Sequence, residues 1–374
     1  MPYGNIVADI QTDSFGSVLS PSSAVFRNRL INGQMQIDQR NAGASVTPTN
    51  TGAIVYSLDR WFTFCSVASK FSVQQNAGSV TPPVGFTNYL GITSLSAYSI
   101  TSTDQFVVGQ TIEGFNIADL GWGTANAKTV TLSFQVYSSL TGTFGGSLRN
   151  SAANRSYPFS YTISSANTWT NISITVAGDT TGTWLTTNGI GVYVSLSLGA
   201  GSTLSGTAGS WAGANYISAT GATSVVGTNG ATFYITGCQL ERGTNATSFE
   251  YRPYGTELAL CQRYFYSSYS NGVAVGTALA YYTPLWHTVE ATMSYCTVSV
   301  SFPVSMRANP TGTIYSPATG ASGKAFSGSD INATIASAGS YNGINPQGAT
   351  VQVNNVSVAA TVNLLAHLTA SAEL

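Results

Sequence analysis

Apolar and polar residues alternate with a period of two along much of this chain. Val130, Leu132, Phe134 and Val136 are separated by Thr131, Ser133 and Gln135, and Ile172, Ile174 and Val176 repeat the pattern. Val192, Val194, Leu196 and Leu198 do the same, as do Cys296, Val298, Val300 and Phe302. Successive side chains of a strand point to opposite faces, so each apolar set lines one side and leaves hydroxyls on the other. That arrangement belongs to antiparallel sheets with one buried face. Gly145-Gly146, Gly178-Asp179, Asn188-Gly189 and Asn271-Gly272 read as the turns between strands. The pattern predicts an all-β protein: an antiparallel jelly-roll β-sandwich, followed by a short helix and a second, smaller β-sandwich.

The helix is expected where the alternation stops. After Pro253, Thr256 reads as an N-cap and Glu257 sits at the positive end of the helix, while Leu258, Cys261 and Phe265 recur at spacings of three and four. The expected organisation is an N-terminal attachment arm over 1–25, a jelly roll over 26–255, a linker helix over 256–265 and a distal sandwich over 266–374.

Charge sharpens this picture because it is so scarce. Only 7% of the residues are charged, 13 basic and 14 acidic. Six of them, Glu241, Arg242, Glu250, Arg252, Glu257 and Arg263, alternate in sign within the run GCQLERGTNATSFEYRPYGTELALCQRYF from Gly237 to Phe265. An exposed ion pair contributes about 0–1 kcal/mol, whereas an unpaired buried charge costs several. Six charges among Phe249, Tyr251, Tyr254 and Tyr264 therefore predict a partly buried, mutually paired network at a joint or a subunit interface. Arg149, by contrast, is expected in a loop.

With three lysines and a net charge of −1, the chain lacks the clustered cations that nucleic acid requires. No apolar run approaches the roughly 20 residues of a membrane-spanning helix. The start, MPYGNIVADIQTDSFG, lacks the basic and hydrophobic regions of a secretory signal. Aromatic content of 11% and low net charge argue against disorder.

Candidate chemistry is thin. Cys65, Cys238, Cys261 and Cys296 form no CxxC pair and read as buried thiols, with a disulfide between two of them as the alternative. The glycine-rich ATGASGKA, Ala318 to Ala325, lacks the first glycine and the final hydroxyl of a phosphate-binding loop. His367 reads as a structural histidine, and His287, beside Trp286, as a minor candidate for a ligand contact. Asp104, Glu113, Asp179, Glu290 and Asp330 are isolated in sequence, so no carboxylate pair of the kind glycoside hydrolysis needs is visible.

Several longer runs resemble tail-fibre and receptor-binding proteins of tailed bacteriophages, fibres with a jelly roll like that of carbohydrate-binding modules. They are RNRLINGQMQIDQRNAG (Arg27 to Gly43), Asp59-Arg60-Trp61, GDTTGTW (Gly178 to Trp184), the charged run itself, SFPVSMRANPTG (Ser301 to Gly312) and the closing TASAEL (Thr369 to Leu374). The resemblance implies a homotrimer in the virion, attached to a tail or baseplate protein through its N-terminus and meeting a bacterial surface polysaccharide. It supplies no catalytic residues to carry over. It also makes a structural calcium at Asp179 the runner-up to a plain turn residue; no other cofactor is expected. Alternatives are an architectural baseplate or collar component and, less favoured, a polysaccharide depolymerase or deacetylase. For the glycan, the aromatic platforms expected are Trp122 in DLGWGT, Trp211 in AGSWAGANY, and Tyr281, Tyr282 and Trp286. Trp61 and Trp184 are expected to pack inside.

Overall fold

The computed structural model describes residues 11–12, 18–19, 26–279, 285–289, 293–335, 343–356 and 362–374. Eleven strands between Val55 and Arg242 build two sheets. They are β1 (Val55–Leu58), β2 (Trp61–Cys65), β3 (Phe71–Gln75), β4 (Leu90–Ser94), β5 (Gln105–Glu113), β6 (Val130–Ser138), β7 (Gly142–Arg149), β8 (Ser156–Ile163), β9 (Thr170–Val176), β10 (Ile190–Ala200) and β11 (Thr232–Arg242). One sheet has six strands in the order β8-β7-β10-β5-β2-β1, the other five in the order β9-β6-β11-β4-β3. Every pairing within them is antiparallel.

The alternation explains how these sheets stack. Leu132, Phe134 and Val136 of β6 face Phe106, Val108, Val192 and Val194 of the opposite sheet in one continuous core, which also takes in Phe144, Phe159 and Phe233. The fold is an all-β sandwich, and the four alternating runs read from the sequence all form strands. One turn expectation fails. Gly145 and Gly146 lie inside β7, where a Cβ would come within 2.5 Å of Ser218 Oγ and 2.4 Å of Ser195 O. They are there because neighbouring chain segments pass too close for a side chain.

Helix α1 spans Tyr254–Gln262. Its first turn opens two residues earlier than expected, because Pro253 rather than Thr256 occupies the cap position and its carbonyl accepts the N–H groups of Thr256 and Glu257. Leu258 and Cys261 join Ile31, Ile37, Tyr264 and Leu374 in a small core of their own.

The chain then forms β12 (Phe265–Ser267), β13 (Leu285–Val289), β14 (Met293–Ser301), β15 (Thr311–Tyr315), β16 (Lys324–Phe326), β17 (Asp330–Ile335), β18 (Gly348–Val356) and β19 (Val362–Ser371). These make one sheet in the order β12-β19-β16-β17-β18-β14, with β13 and β15 also pairing with β19. The last strand is the spine: its end pairs with β12 and β15, its beginning with β13. Consecutive strands β13 and β14 pair with different partners, β19 and β18. Its separate core includes Phe302, Ile314, Val353, Leu364 and Leu368.

Of the segment expected to be an arm, only a two-residue pairing of Gln11–Thr12 with Val18–Leu19 is among the described residues.

Candidate functional site

The outer face of the five-stranded sheet carries the polar residues that alternation turns away from the core. On β6 these are Ser133 and Gln135; on β9 they are Asn171 and Ser173. Antiparallel register sets Asn171 opposite Gln135 and Ser173 opposite Ser133. The four side chains form a floor of hydroxyls and amides, offering donors and acceptors in both senses.

Beside this floor stands an aromatic wall. Phe86 meets Phe249 edge to face with ring centres 5.1 Å apart, Phe249 meets Tyr251 at 5.1 Å, and Phe86 lies 5.7 Å from Tyr251. Floor and wall enclose an open groove of about 410 Å³. Tyr251 is 55% exposed, so its ring faces solvent across the groove. None of the lining side chains is charged near neutral pH.

Two features hold the wall in place. Gly237 breaks the regular register of β11 with a φ of 62°, and a Cβ there would sit 2.7 Å from the Phe86 ring. Phe86 therefore rests on a position only glycine can supply. The second is the loop after β11. Buried Glu241 accepts from the Thr247 N–H at 2.8 Å and the Thr247 hydroxyl at 2.7 Å, while Gln239 accepts from the Glu250 N–H at 2.9 Å. Glu250 in turn accepts from the backbone N–H of Arg27 and of Asn28 and from Arg252. Part of the charged run thus fixes the loop bearing Phe249 and Tyr251.

Further along the same face Tyr137 stacks on Tyr234 at 5.4 Å and 6°, Tyr234 stacks on Tyr89 at 5.1 Å, and half-buried Trp169 meets Tyr89 edge-on. Burial holds the Tyr234 phenol above its ordinary value, with hydrogen bonds to Thr93 and Thr232 pulling the other way. These rings carry the aromatic character of the face beyond the groove.

The expected platforms lie elsewhere. Trp122 is buried, with Trp184 at 4.7 Å and Trp211 at 5.4 Å, and its indole N–H donates to Lys128 O. Trp211 is half-buried in the same cluster, packs on Tyr157 and donates to Ala177 O. A loop glycine beside a tryptophan does not make the ring accessible: three indoles shield one another at one end of the sandwich. Tyr281 and Tyr282 lie outside the described residues. Trp286 and His287 pair through their backbone with Leu365 and Leu364 in β13 and β19, and their side chains are outside the described residues. His367 is buried, stacked on Tyr269 at 3.9 Å and within 3.1 Å of Ser268 Oγ.

Asp179 is not a metal ligand here. Arg155 grips both its oxygens, Nε at 2.8 Å and Nη2 at 2.6 Å, while Thr181 and the Trp184 indole donate to it as well. Burial pushes this carboxyl up, but the Arg155 hydrogen bond and charge prevail and hold it below the usual range. Its acceptor capacity is spent on the protein.

Only three of the six charges close on one another. Arg252, buried, bridges Glu250 at 3.1 Å and Glu257 at 3.4 Å. Arg263 instead reaches out of the run to Glu113, Nε to Oε2 at 3.0 Å and Nη2 to Oε1 at 2.7 Å. Glu241 is satisfied by uncharged donors, and Arg242 is exposed at the end of β11 without an ion pair among the described residues. Sequence reasoning missed the other half of this seam: Arg40, Arg60, Glu113, Arg307 and Glu373. Four of them, Arg40, Arg60, Arg307 and Glu373, lay inside runs already singled out for resemblance. Arg149 ends β7 instead of occupying a loop.

No protein-family model matches this chain, and no curated protein does. Solved structures do. The active domain of tailspike protein 4 from bacteriophage CBA120 matches with a TM-score of 0.30 and 12% identity, over 61% of this chain and 22% of that one. A putative sugar-binding protein from Bacteroides thetaiotaomicron matches at 0.31 and 12%, over 58% of this chain and all of its own. A family 11 carbohydrate-binding module of a Clostridium thermocellum cellulase matches at 0.26 and 10%, over 55% and 98%. The chain thus spans about a fifth of the tailspike domain and nearly the full length of the two smaller proteins.

Proposed function

We propose that this chain binds a polysaccharide in the groove on the outer face of its five-stranded sheet, and does so as part of a trimeric phage tail fibre that meets a bacterial surface glycan. The observation carrying the binding role is the pairing of an aromatic wall, Phe86, Phe249 and Tyr251, with a floor of Ser133, Gln135, Asn171 and Ser173. A sugar ring has an apolar C–H face and a rim of hydroxyls, and such a groove offers a surface for each. The fibre context rests on the resemblance of the long sequence runs.

Binding without cleavage is the reading the carboxylates support. Asp104 accepts from Ser66, Tyr98 and Thr101, Glu113 from Arg263 and Tyr264, Asp179 from Arg155, and Asp330 from Ser316 and Thr319. Each is engaged in holding the fold, and none lines the groove; Glu290 lies outside the described residues.

Affinity electrophoresis in host polysaccharides tests the proposal. Tyr251→Ala and Asn171→Ala should each weaken binding about tenfold, equivalent to about 1.4 kcal/mol, with the polymer left at its original length. Wild-type protein that ignores every host polysaccharide would favour an architectural component, and chain shortening would favour a depolymerase. Sedimentation as a stable monomer at micromolar concentration would remove the trimer.

A further inference from the structure

The opposite face of the sandwich holds a second groove, built on different chemistry. Phe62 of β2, Val107 of β5 and Tyr193 of β10 line it on the outer side of the six-stranded sheet, and it encloses about 270 Å³. Phe62 and Tyr193 meet edge to face at 6.3 Å. Gln105 and Ser195 add polar groups.

Arg149 forms one wall. Its register partner is Tyr193, and its guanidinium lies 4.6 Å from the centre of that ring. Six arginines of this chain, Arg29, Arg40, Arg60, Arg155, Arg252 and Arg263, are paired with carboxylates. Arg307 donates to three backbone carbonyls. Arg149 has neither arrangement: among the described residues its hydrogen-bond partner is the Asn215 side-chain oxygen, and no carboxylate faces it. Five N–H donors with one committed leave a fork free on a half-buried cation. Burial lowers the pKa of this guanidinium, offset in part by the Tyr193 phenol, so its positive charge is held at a cost that a bound anion would relieve.

We infer that this groove is a site for the carboxylate of an acidic sugar, a hexuronate, with Arg149 taking the carboxylate in a two-point grip and the Tyr193 and Phe62 rings flanking the sugar. The anion follows from Arg149; the sugar rests on the carbohydrate reading given above. Asn215 accepts from Nη1 while the guanidinium lies over the Tyr193 ring, which leaves the other donors to the ligand.

Titration calorimetry with a galacturonate trisaccharide and its carboxyl-reduced counterpart is the test. Wild-type protein should bind the acid at least about tenfold more tightly, as a charge-assisted bidentate contact warrants, and added salt should narrow the gap. Arg149→Gln should bind both alike, and Arg149→Lys should recover only part of the preference. Equal binding of the two sugars by wild-type protein overturns the inference without needing any variant. So does an Arg149→Gln protein, melting like wild type, that keeps the preference. Equal competition by an acidic peptide overturns the assignment to a sugar. Tyr251→Ala should leave the preference intact, so loss of neutral-polysaccharide binding and loss of this site are read separately.

Discussion

Glu373, next to last in the chain, accepts a hydrogen bond from Arg40 at 2.6 Å across 333 residues of sequence. Its other oxygen accepts from Arg60, which is almost fully buried, lies 3.7 Å from the Tyr264 ring centre and donates to Thr111 O at 2.5 Å. Arg307 grips the carbonyls of Ala372 and Glu373, and Tyr56 donates to that of Leu374. The residues that follow β19 are thus fastened to the sandwich. Glu373→Ala leaves Arg60 buried without its anion and should cost about 3–5 kcal/mol. Urea unfolding would show it, and limited proteolysis should then release the segment after Arg263.

Arg252→Ala should also be costly. Its guanidinium joins the carbonyls of Asn28 and Leu30 to Glu250 and Glu257, and removing it strands buried Glu257. Arg242→Ala, at an exposed strand end ten residues earlier, should change stability by no more than about 0.5 kcal/mol. Matching melting temperatures for the two variants would show that the run acts as a uniform solvated stretch.

Stability should fall between pH 4 and 6. Burial pushes the Asp59 carboxyl up to about 6, against the pull of Arg40 and two hydrogen bonds from Gln39. In the unfolded chain it titrates near 3.8. Its contribution is complete below that value and is lost as pH rises through 6, by about 3 kcal/mol. Thermal unfolding of Asp59→Asn should show a flatter profile across this window, whatever its absolute stability.

Gly237→Ala should damage binding more than it damages the fold. The new Cβ strikes the Phe86 ring and sits at a φ of 62°, so the aromatic wall must shift. A polysaccharide affinity equal to that of wild type would place the ligand away from this wall.

Trp122→Ala should behave in the opposite way. Removing a buried indole from the cluster with Trp184 and Trp211 should cost about 3–5 kcal/mol, while folded protein keeps its polysaccharide affinity. A selective loss of binding at unchanged melting temperature would restore Trp122 as a platform.

The strands were legible because alternation is a local property, as Val130 to Val136 and Val192 to Leu198 show, and the helix because Leu258 and Cys261 shift the period. The site was not. Gln135, Asn171 and Gly237 come from three strands, and nothing in their own segments distinguishes them from other polar or glycine positions. The charged run was legible as an anomaly, but its partners were not: Arg263 finds Glu113 and Arg60 finds Glu373 only after the sheets have formed.

By itself the sequence determined which faces of the strands are apolar, where charge is scarce and where a helix interrupts the sheets, since each depends on neighbours a few residues apart. Tertiary structure alone decided that Trp122 packs inside, that Tyr251 stands open beside Asn171, and that Arg149 faces a groove without an anion. Those outcomes depend on distances across the sheets and on which groups the fold brings into reach, and no local pattern encodes them.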